Sequence, residues 1–241
     1  MKSNLRLLDC FELTCDGRPV SVPHSAQRVL AFLALHPHPL RRAQVAGSLW
    51  LDSPEERAYA SLRSALWRVQ QAGADVIEVR DAQLSLAPSV RVDYRDTTAL
   101  SRALLDEPAP DLQAVADWAT LAGELLPDWD DEWVIVEREH HRHLSLHAME
   151  TLSERMLAAG TRSQALEVAL AVFAREPLRE TAHRLMIRVH LADGNSFEAI
   201  RQYHLYERLT LTRIGLPPSA QMRELVSGLL PDELALPGAA A

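Results

Sequence analysis

Long apolar runs are missing from this 241-residue chain. None approaches the ~18 residues of a membrane-spanning helix. Arg6 and Asp9 break up the apolar stretch near the N-terminus, so neither a signal peptide nor a membrane span is expected, and the cytoplasm is the expected location. Glycine is scarce, with 9 in all, and there is no Gly-rich phosphate loop and no Gly-x-Ser-x-Gly elbow. Nucleotide binding and serine-hydrolase chemistry are therefore not expected. Cysteine is limited to Cys10 and Cys15, without partner cysteines or a nearby histidine, which reads as packed thiols rather than a metal site or a disulfide. Aromatic residues make up only 5%, and Ala and Leu dominate, which favours helices.

Positive charge is also short, since the net charge is −8. Its distribution matters more than its sum. Residues 1–93 hold 11 Lys+Arg against 10 Asp+Glu, hence +1, and residues 94–241 hold 14 against 23, hence −9. An acidic C-terminal part thus masks a near-neutral N-terminal one. The composition, 47% hydrophobic and 24% charged, is that of a soluble globular protein.

What is present begins with alternation. LRLL, FELTC and PVSV over residues 5–22 read as short strands, with Asp16-Gly17 as a hairpin turn. Ser25 opens a helix carrying Val29, Leu30, Phe32 and Leu33, and His36-Pro37 stops it. Arg41 to Trp50 makes a second helix. Leu51-Asp52 is a short link, and Ser53 to Ala72 is a third helix. In that helix Ser53 is placed as N-cap, Pro54 at the first helical position and Glu56 as the closing residue of a capping box. Tyr59, Leu62, Leu66 and Val69 form its buried face, and Arg57, Ser61, Ser64, Arg68 and Gln71 the opposite one. Small side chains with Arg and Gln suit close approach to a major groove, where Arg and Gln read base edges. Gly73 ends the helix. VIEV and LSLA then flank Arg80 to Gln83 as a hairpin, and Val90-Arg91-Val92 adds a strand.

Small sheet, three helices and hairpin make a winged helix-turn-helix unit with a β-meander in front. After Asp93 the pattern turns wholly helical: Thr97 to Leu105, Leu112 to Leu121, a long helix over Val134 to Ala159, and more beyond. Gly160 and Gly194 lie 34 residues apart, each preceded by Leu-Ala-x and followed five residues on by Ala165-Leu166 or Ala199-Ile200. That period is the mark of tetratricopeptide-like helical hairpins. The expected fold is therefore mainly α: a winged helix-turn-helix domain over 1–93, an all-α tetratricopeptide-like repeat domain over 94–230, and a frayed tail over 231–241.

Candidate chemistry is thin. Glu137, Glu139, His140, His141, His143 and His147 form the densest polar cluster, and His143 and His147 stand one turn apart. No His-Glu-x-x-His motif accompanies them, so a solvated face or subunit contact is the reading, with no metal and no cofactor expected. Trp118, Trp129 and Trp133 read as core. No catalytic constellation emerges, so no enzyme is expected. The candidate DNA contacts are Ser61, Ser64, Arg68 and Gln71 on the third helix with Arg63 and Trp67 on its flank, Arg41 and Arg42 at the start of the second helix, and Arg80 and Gln83 on the wing.

The run LRLLDCFELTCDGRPVSVP with QRVLAFLAL, LW and SLRSALWRVQQ resembles the N-terminal OmpR-type winged helix of the antibiotic-regulatory-protein (SARP) family. GELLPDWDDEWVIVEREHHRHLSLHAMETLSERMLAAG and EPLRETAHRLMIRVHLADGNSFEAIRQYHLYERL resemble the bacterial transcriptional activator domain that follows it. The resemblance implies a small-form transcriptional activator that binds direct repeats in promoter DNA as a head-to-tail homodimer and recruits RNA polymerase through its sigma or alpha subunit. It sets Arg68 at the family's recognition-helix arginine, Ser61, Ser64 and Trp67 at neighbouring DNA-facing positions, and Trp50, Leu51, Asp52 and Ser53 at the loop that can touch polymerase. Gln70 and Gln71 stand where relatives often carry arginine, and Ser85 where the wing usually has a second basic residue. The alternatives are a helical-repeat scaffold or a ligand-sensing regulator.

Overall fold

A computed structural model of the chain describes residues 2–106 and 118–229. The chain forms two compact units: Met1–Leu100 with Gly123–Leu144, and Ser101–Ala122 with Ser145–Ala241. The change from mixed to helical sequence at 93 therefore does not coincide with the edge of the first unit, which takes in a later segment as well.

In the first unit, β1 (Ser3–Arg6), β2 (Glu12–Cys15) and β3 (Arg18–Pro19) form an antiparallel meander. Asp16 and Gly17, both at positive φ, make the turn between the last two. Helices α1 (His24–Leu35), α2 (Arg42–Leu49) and α3 (Glu55–Gln71) follow. A two-residue strand β4 (Leu40–Arg41) joins β5 (Ile77–Arg80) and β6 (Gln83–Leu86) in a three-stranded sheet ordered β4-β6-β5. Strand β7 (Val90–Val92) then lies parallel to β1 and completes a sheet ordered β3-β2-β1-β7. Alternation at 90–92 shows a strand, but nothing local shows that its partner is the first strand of the chain.

The core beneath these sheets holds Leu5, Leu7, Leu13, Leu30, Leu33, Leu62 and Leu84, all fully buried. The segment 123–144 supplies Leu125, Leu126, Trp129 and Val134 to the same core. Leu125 bridges to Leu8, the Leu126 amide donates to the Leu7 carbonyl at 2.9 Å, and the Asp9 amide donates to the Glu124 carbonyl at 2.6 Å. Asp93 ties the end of β7 to the chain after β1, accepting from the amides of Leu7 (2.8 Å) and Leu8 (3.0 Å). Arg95 donates to the carbonyls of Leu33, Ala34 and His36, which the end of α1 leaves without helical partners. Cys15 is buried, with the Ser3 hydroxyl donating to its Sγ at 3.4 Å, and both cysteines are free thiols.

Helix α4 (Asp93–Leu105) starts four residues before the expected Thr97. Of the helix expected over Leu112 to Leu121, residues 112–117 lie outside the described residues, and Trp118–Ala122 is a 3₁₀ turn. The tail expected over 231–241 also lies outside them. Helix α5 (Glu132–Ala158) gives residues 132–144 to the first unit and 145–158 to the second.

The second unit continues with α6 (Arg162–Arg175), α7 (Glu180–Ala192), α8 (Ser196–Arg213) and α9 (Ala220–Val226). The 34-residue repeat is visible at its turns. Gly160 and Gly194 both have positive φ, and the following amides reach back in the same way, Thr161 to the Met156 carbonyl and Asn195 to that of His190. Ala165 and Ala199 are fully buried where adjacent helices meet. His183 is buried between Phe173 and Tyr206. Its Nε2 faces the Pro177 carbonyl at 2.9 Å and its Nδ1 faces Gln202 Nε2 at 2.7 Å, the pattern of a neutral imidazole donating through one nitrogen and accepting through the other. Burial pushes His183 below its ordinary value, against the pull of those bonds and of Glu180. Arg179 grips Glu150 of α5 through two bonds of 2.6 and 2.9 Å, and Thr181 donates to the same carboxylate.

Candidate nucleic-acid interface

Helix α3 starts later than its sequence suggests. Pro54 is the N-cap, with extended ψ, and no side chain caps the helix. The capping box read from Ser53 and Glu56 does not form. Ser53 sits one residue too early, in a turn whose amide donates to the Trp50 carbonyl at 3.1 Å. Glu55 and Glu56 instead place two negative charges in the first turn, where the helix dipole favours them.

Ala58, Leu62, Ala65 and Val69 are the buried residues of α3, while Tyr59 and Leu66 are half-buried. At about 100° per residue, this turns the outward centre line onto Ala60, Ser64, Trp67 and Gln71. Arg57, Ser61 and Arg68 lie on one flank, with Ser61 half-buried. Arg63 and Gln70 lie on the other, facing the β5–β6 hairpin. The expected face of Arg57, Ser61, Ser64, Arg68 and Gln71 is thus rotated by part of a turn. Trp67, expected on the flank, stands near the middle at 57% exposure. Ala58 and Ala65 mark the buried stripe more accurately than the larger Tyr59 and Leu66.

Arg42, Arg63, Leu66, Trp67, Gln70, Asp75, Ile77 and Val79 line a cleft of about 360 Å³ between α3 and the hairpin. Asp75 and Val79 join this lining without any signal in the sequence, and Leu66, expected on the buried face, borders the cleft as well, because the cleft exists only once hairpin and helix are set side by side. The hairpin turns through Asp81 and Ala82, both at positive φ, a two-residue turn without the usual Asn-Gly. Gln83 pairs with Arg41 on one side and Arg80 on the other. Directly paired residues share a sheet face, so these three residues, distant in sequence, form one row. Arg41 is the N-cap of α2 in an extended conformation rather than its first helical residue, and Arg42 opens the helix. Arg80 is bonded to Glu78 at 2.8 Å.

The α2–α3 link is anchored from behind. Arg28 of α1 donates to Asp131 Oδ1 at 2.8 Å and to the Leu49 carbonyl at 2.6 Å, and its guanidinium lies 5.8 Å from the centre of the Trp50 ring. Trp50 and Ser53 are half-buried, and Asp52 is exposed. Leu51 projects into solvent at 70% exposure.

Charge pairing leaves one group of arginines aside. Arg162, Arg179, Arg184, Arg188 and Arg201 of the repeats each have a carboxylate within 4 Å. Among the described residues Arg41, Arg42, Arg57, Arg63 and Arg68 have no carboxylate partner. The cations around α2 and α3 are left available for another molecule. The α5 cluster is different. Glu139 bonds Arg142 at 2.6 and 2.8 Å and pairs with His143 at 2.9 Å. The bond from Arg142, with His143 adding to it, lowers the Glu139 carboxyl to about 2. His141 is buried against Tyr94, whose hydroxyl donates to Glu137. Among the described residues no group of three or more His, Cys, Asp or Glu could hold a metal ion, and no helix is long and apolar enough to cross a membrane. Trp129 and Trp133 pack into the first unit's core.

A winged helix with a half-lined cleft beside its third helix, followed by stacked helical hairpins, defines the class of chain. Residues 92–230 match the bacterial transcriptional activator domain, and the chain belongs to that family. This is the family its sequence resembled. The regulatory protein AfsR of Streptomyces coelicolor is 25% identical over 92% of this chain. The chain spans under a quarter of that relative's length, 23%. Mycobacterium tuberculosis EmbR, solved in complex with a low affinity phosphopeptide, has the same fold, with a TM-score of 0.74 at 20% identity, over 94% of this chain and 64% of that one.

Proposed function

We propose that the chain is a DNA-binding transcriptional activator, a regulator and not an enzyme, working in the cytoplasm. The observation that carries this reading is the gathering around α2 and α3 of five arginines, Arg41, Arg42, Arg57, Arg63 and Arg68, without carboxylate partners among the described residues. Ser64, Arg68 and Gln71 enter the major groove with Ser61 at the edge, and Arg68 and Gln71 read base edges. Arg41, Arg42 and Arg63 meet phosphates, and Arg80 joins them once it gives up Glu78, an exposed and weak pair. Gln83 lies in the same row. Trp50, Leu51, Asp52 and Ser53 offer RNA polymerase a loop whose exposed residues are Leu51 and Asp52. With so few cations per copy, occupancy of direct repeats requires two copies, so the chain acts as a homodimer.

A scaffold or ligand-sensing role has less behind it. The groove of about 490 Å³ between α5, α7 and α9 carries Glu150, Glu154, Arg184 and Arg188, but Glu154 pairs with Arg188 and Glu150 with Arg179. The test is footprinting of the DNA flanking the chain's own gene, with wild type and Arg68→Ala. Arg68→Ala keeps the fold and loses specific protection. Protection at the wild-type position by folded Arg68→Ala refutes the assignment.

A further inference from the structure

We infer that the outer face of α8 is a contact surface for a second copy of this chain, with the two α8 helices antiparallel across a two-fold axis near Leu205 and Tyr206. The contact stands apart from the DNA-binding reading. It is two-fold symmetric, whereas copies seated on direct repeats are related head to tail.

Helix α8 carries a stripe. Phe197, Ile200, His204, Glu207, Leu211 and Ile214 follow one another at spacings of three, four, three, four and three. That is the 3.5-residue period that keeps one seam of a helix turned to a partner helix. Ala199, Tyr203, Tyr206 and Thr210 are the buried residues of α8, so the stripe lies outside the face already packed on α7 and α9. Phe197, Leu211 and Ile214 are 72%, 51% and 50% exposed, and Ile200, His204 and Glu207 are half-buried. Stacked helical hairpins bury such a face under a neighbouring hairpin. Among the described residues nothing covers Phe197, Leu211 or Ile214. From Phe197 to Ile214 the seam runs about 26 Å.

The order of residues along the stripe identifies its occupant. Apolar, apolar, His, Glu, apolar, apolar is its own complement when reversed. Antiparallel pairing about the middle sets Phe197 of each copy against Ile214 of the other, Ile200 against Leu211, and His204 against Glu207. Parallel pairing in register would set Glu207 on Glu207, which like charge opposes. Within one chain His204 Nδ1 already lies 3.2 Å from Glu207 Oε2, and the Tyr203 hydroxyl lies 3.5 Å from the same carboxylate. At the axis the two His-Glu pairs form one polar group between apolar ends, and a polar group inside an apolar seam fixes register and direction. One flank works against the contact. Arg201 and Arg208 border the stripe and approach their counterparts as like charges, with Arg201 partly neutralised by Glu198 at 3.2 and 3.3 Å.

The test is sedimentation of the full chain without DNA over a range of concentrations. The wild type moves from the mass of one chain toward that of two as concentration rises. Leu211→Asp sets a carboxylate against Ile200 and weakens association about tenfold. His204→Glu sets carboxylate against carboxylate and weakens it by about as much, and adding Glu207→Lys restores it. Arg208→Ala tightens it. Thermal melts like that of the wild type show that these exposed substitutions leave the fold intact. Under mild oxidation Ile200→Cys/Leu211→Cys gives a covalent dimer. Leu211→Cys alone does not, because the two copies of residue 211 lie about 16 Å apart along the helices. The wild type, with Cys10 and Cys15, is the control. A wild type that stays monomeric at every concentration overturns the inference. So does association that neither Leu211→Asp nor His204→Glu disturbs, which places the contact elsewhere. Cross-linking by Leu211→Cys alone makes the pairing parallel and overturns the antiparallel assignment. DNA binding is read separately, by the footprint of Arg68→Ala, and neither result decides the other.

Discussion

Removing the carboxylate of Asp131 should loosen the first unit from a point far along the chain. Its Oδ1 accepts from Arg28 at 2.8 Å, and the two side chains are only 16% and 20% exposed. Removing one partner of a largely buried pair costs about 3 kcal/mol, because the other charge stays behind without compensation. For a chain of this length that corresponds to a fall of roughly 6–12 °C in melting temperature. Arg28→Met should cost about as much, since it strands Asp131 and also gives up the Leu49 carbonyl and the Trp50 ring. The double substitution should then cost about 2 kcal/mol less than the two single ones added together. Urea denaturation of the four proteins, followed by tryptophan fluorescence, reads this directly, because Trp50 and Trp133 lie beside the pair. Single costs that add to within about 0.5 kcal/mol would show that Arg28 and Asp131 do not act together, and the account of the anchored α2–α3 link would be wrong.

A fragment ending at residue 100 should be much less stable than the full chain, since it lacks Leu125, Leu126 and Val134, each worth about 1.5–3 kcal/mol when buried. Its circular-dichroism melt should be broad and low, and a melt matching the first transition of the full chain would refute this. Acidification should destabilise the second unit through His183. Its folded value lies below 6.5, so the unfolded chain takes up a proton that the native state refuses. This contribution is complete above 6.5 and is lost as pH falls below it. Between about pH 7.5 and 5.5 the wild type should lose more stability than His183→Gln, and equal losses would count against a neutral buried imidazole.

Much of this architecture is legible in the sequence. Val29, Leu30 and Leu33 mark α1, and Pro37 marks its end. Gly160 and Gly194 announce the hairpin turns because positive φ favours glycine there. Three features are not legible, each for a physical reason. Ser53 has the chemistry of a cap, but the turn at Trp50 places it outside reach of the helix amides. The buried stripe of α3 runs through two alanines, whose small side chains hardly register beside Leu66 and Tyr59. The cleft and the row of Arg41, Gln83 and Arg80 depend on contacts between distant segments, which periodicity cannot express. The free state of the arginines is likewise a property of space, since Glu55 and Glu56 stand near Arg57 in sequence without pairing with it.

β7 seated parallel on β1, and 123–126 seated antiparallel beside Leu7–Asp9, bear on how such chains arise and are made. As the polypeptide leaves the ribosome, its first strand must wait for residues 90–92, and the pocket around Leu8 must wait for Leu125 and Leu126. The second unit begins at Ser101, inside that interval. The two units are therefore interleaved, and a gene fusion that joins the front of one such regulator to the back of another at residue 100 would bring together halves of two different cores. Exchange between relatives should succeed only where the crossover carries residues 123–144 along with the residues they pack against.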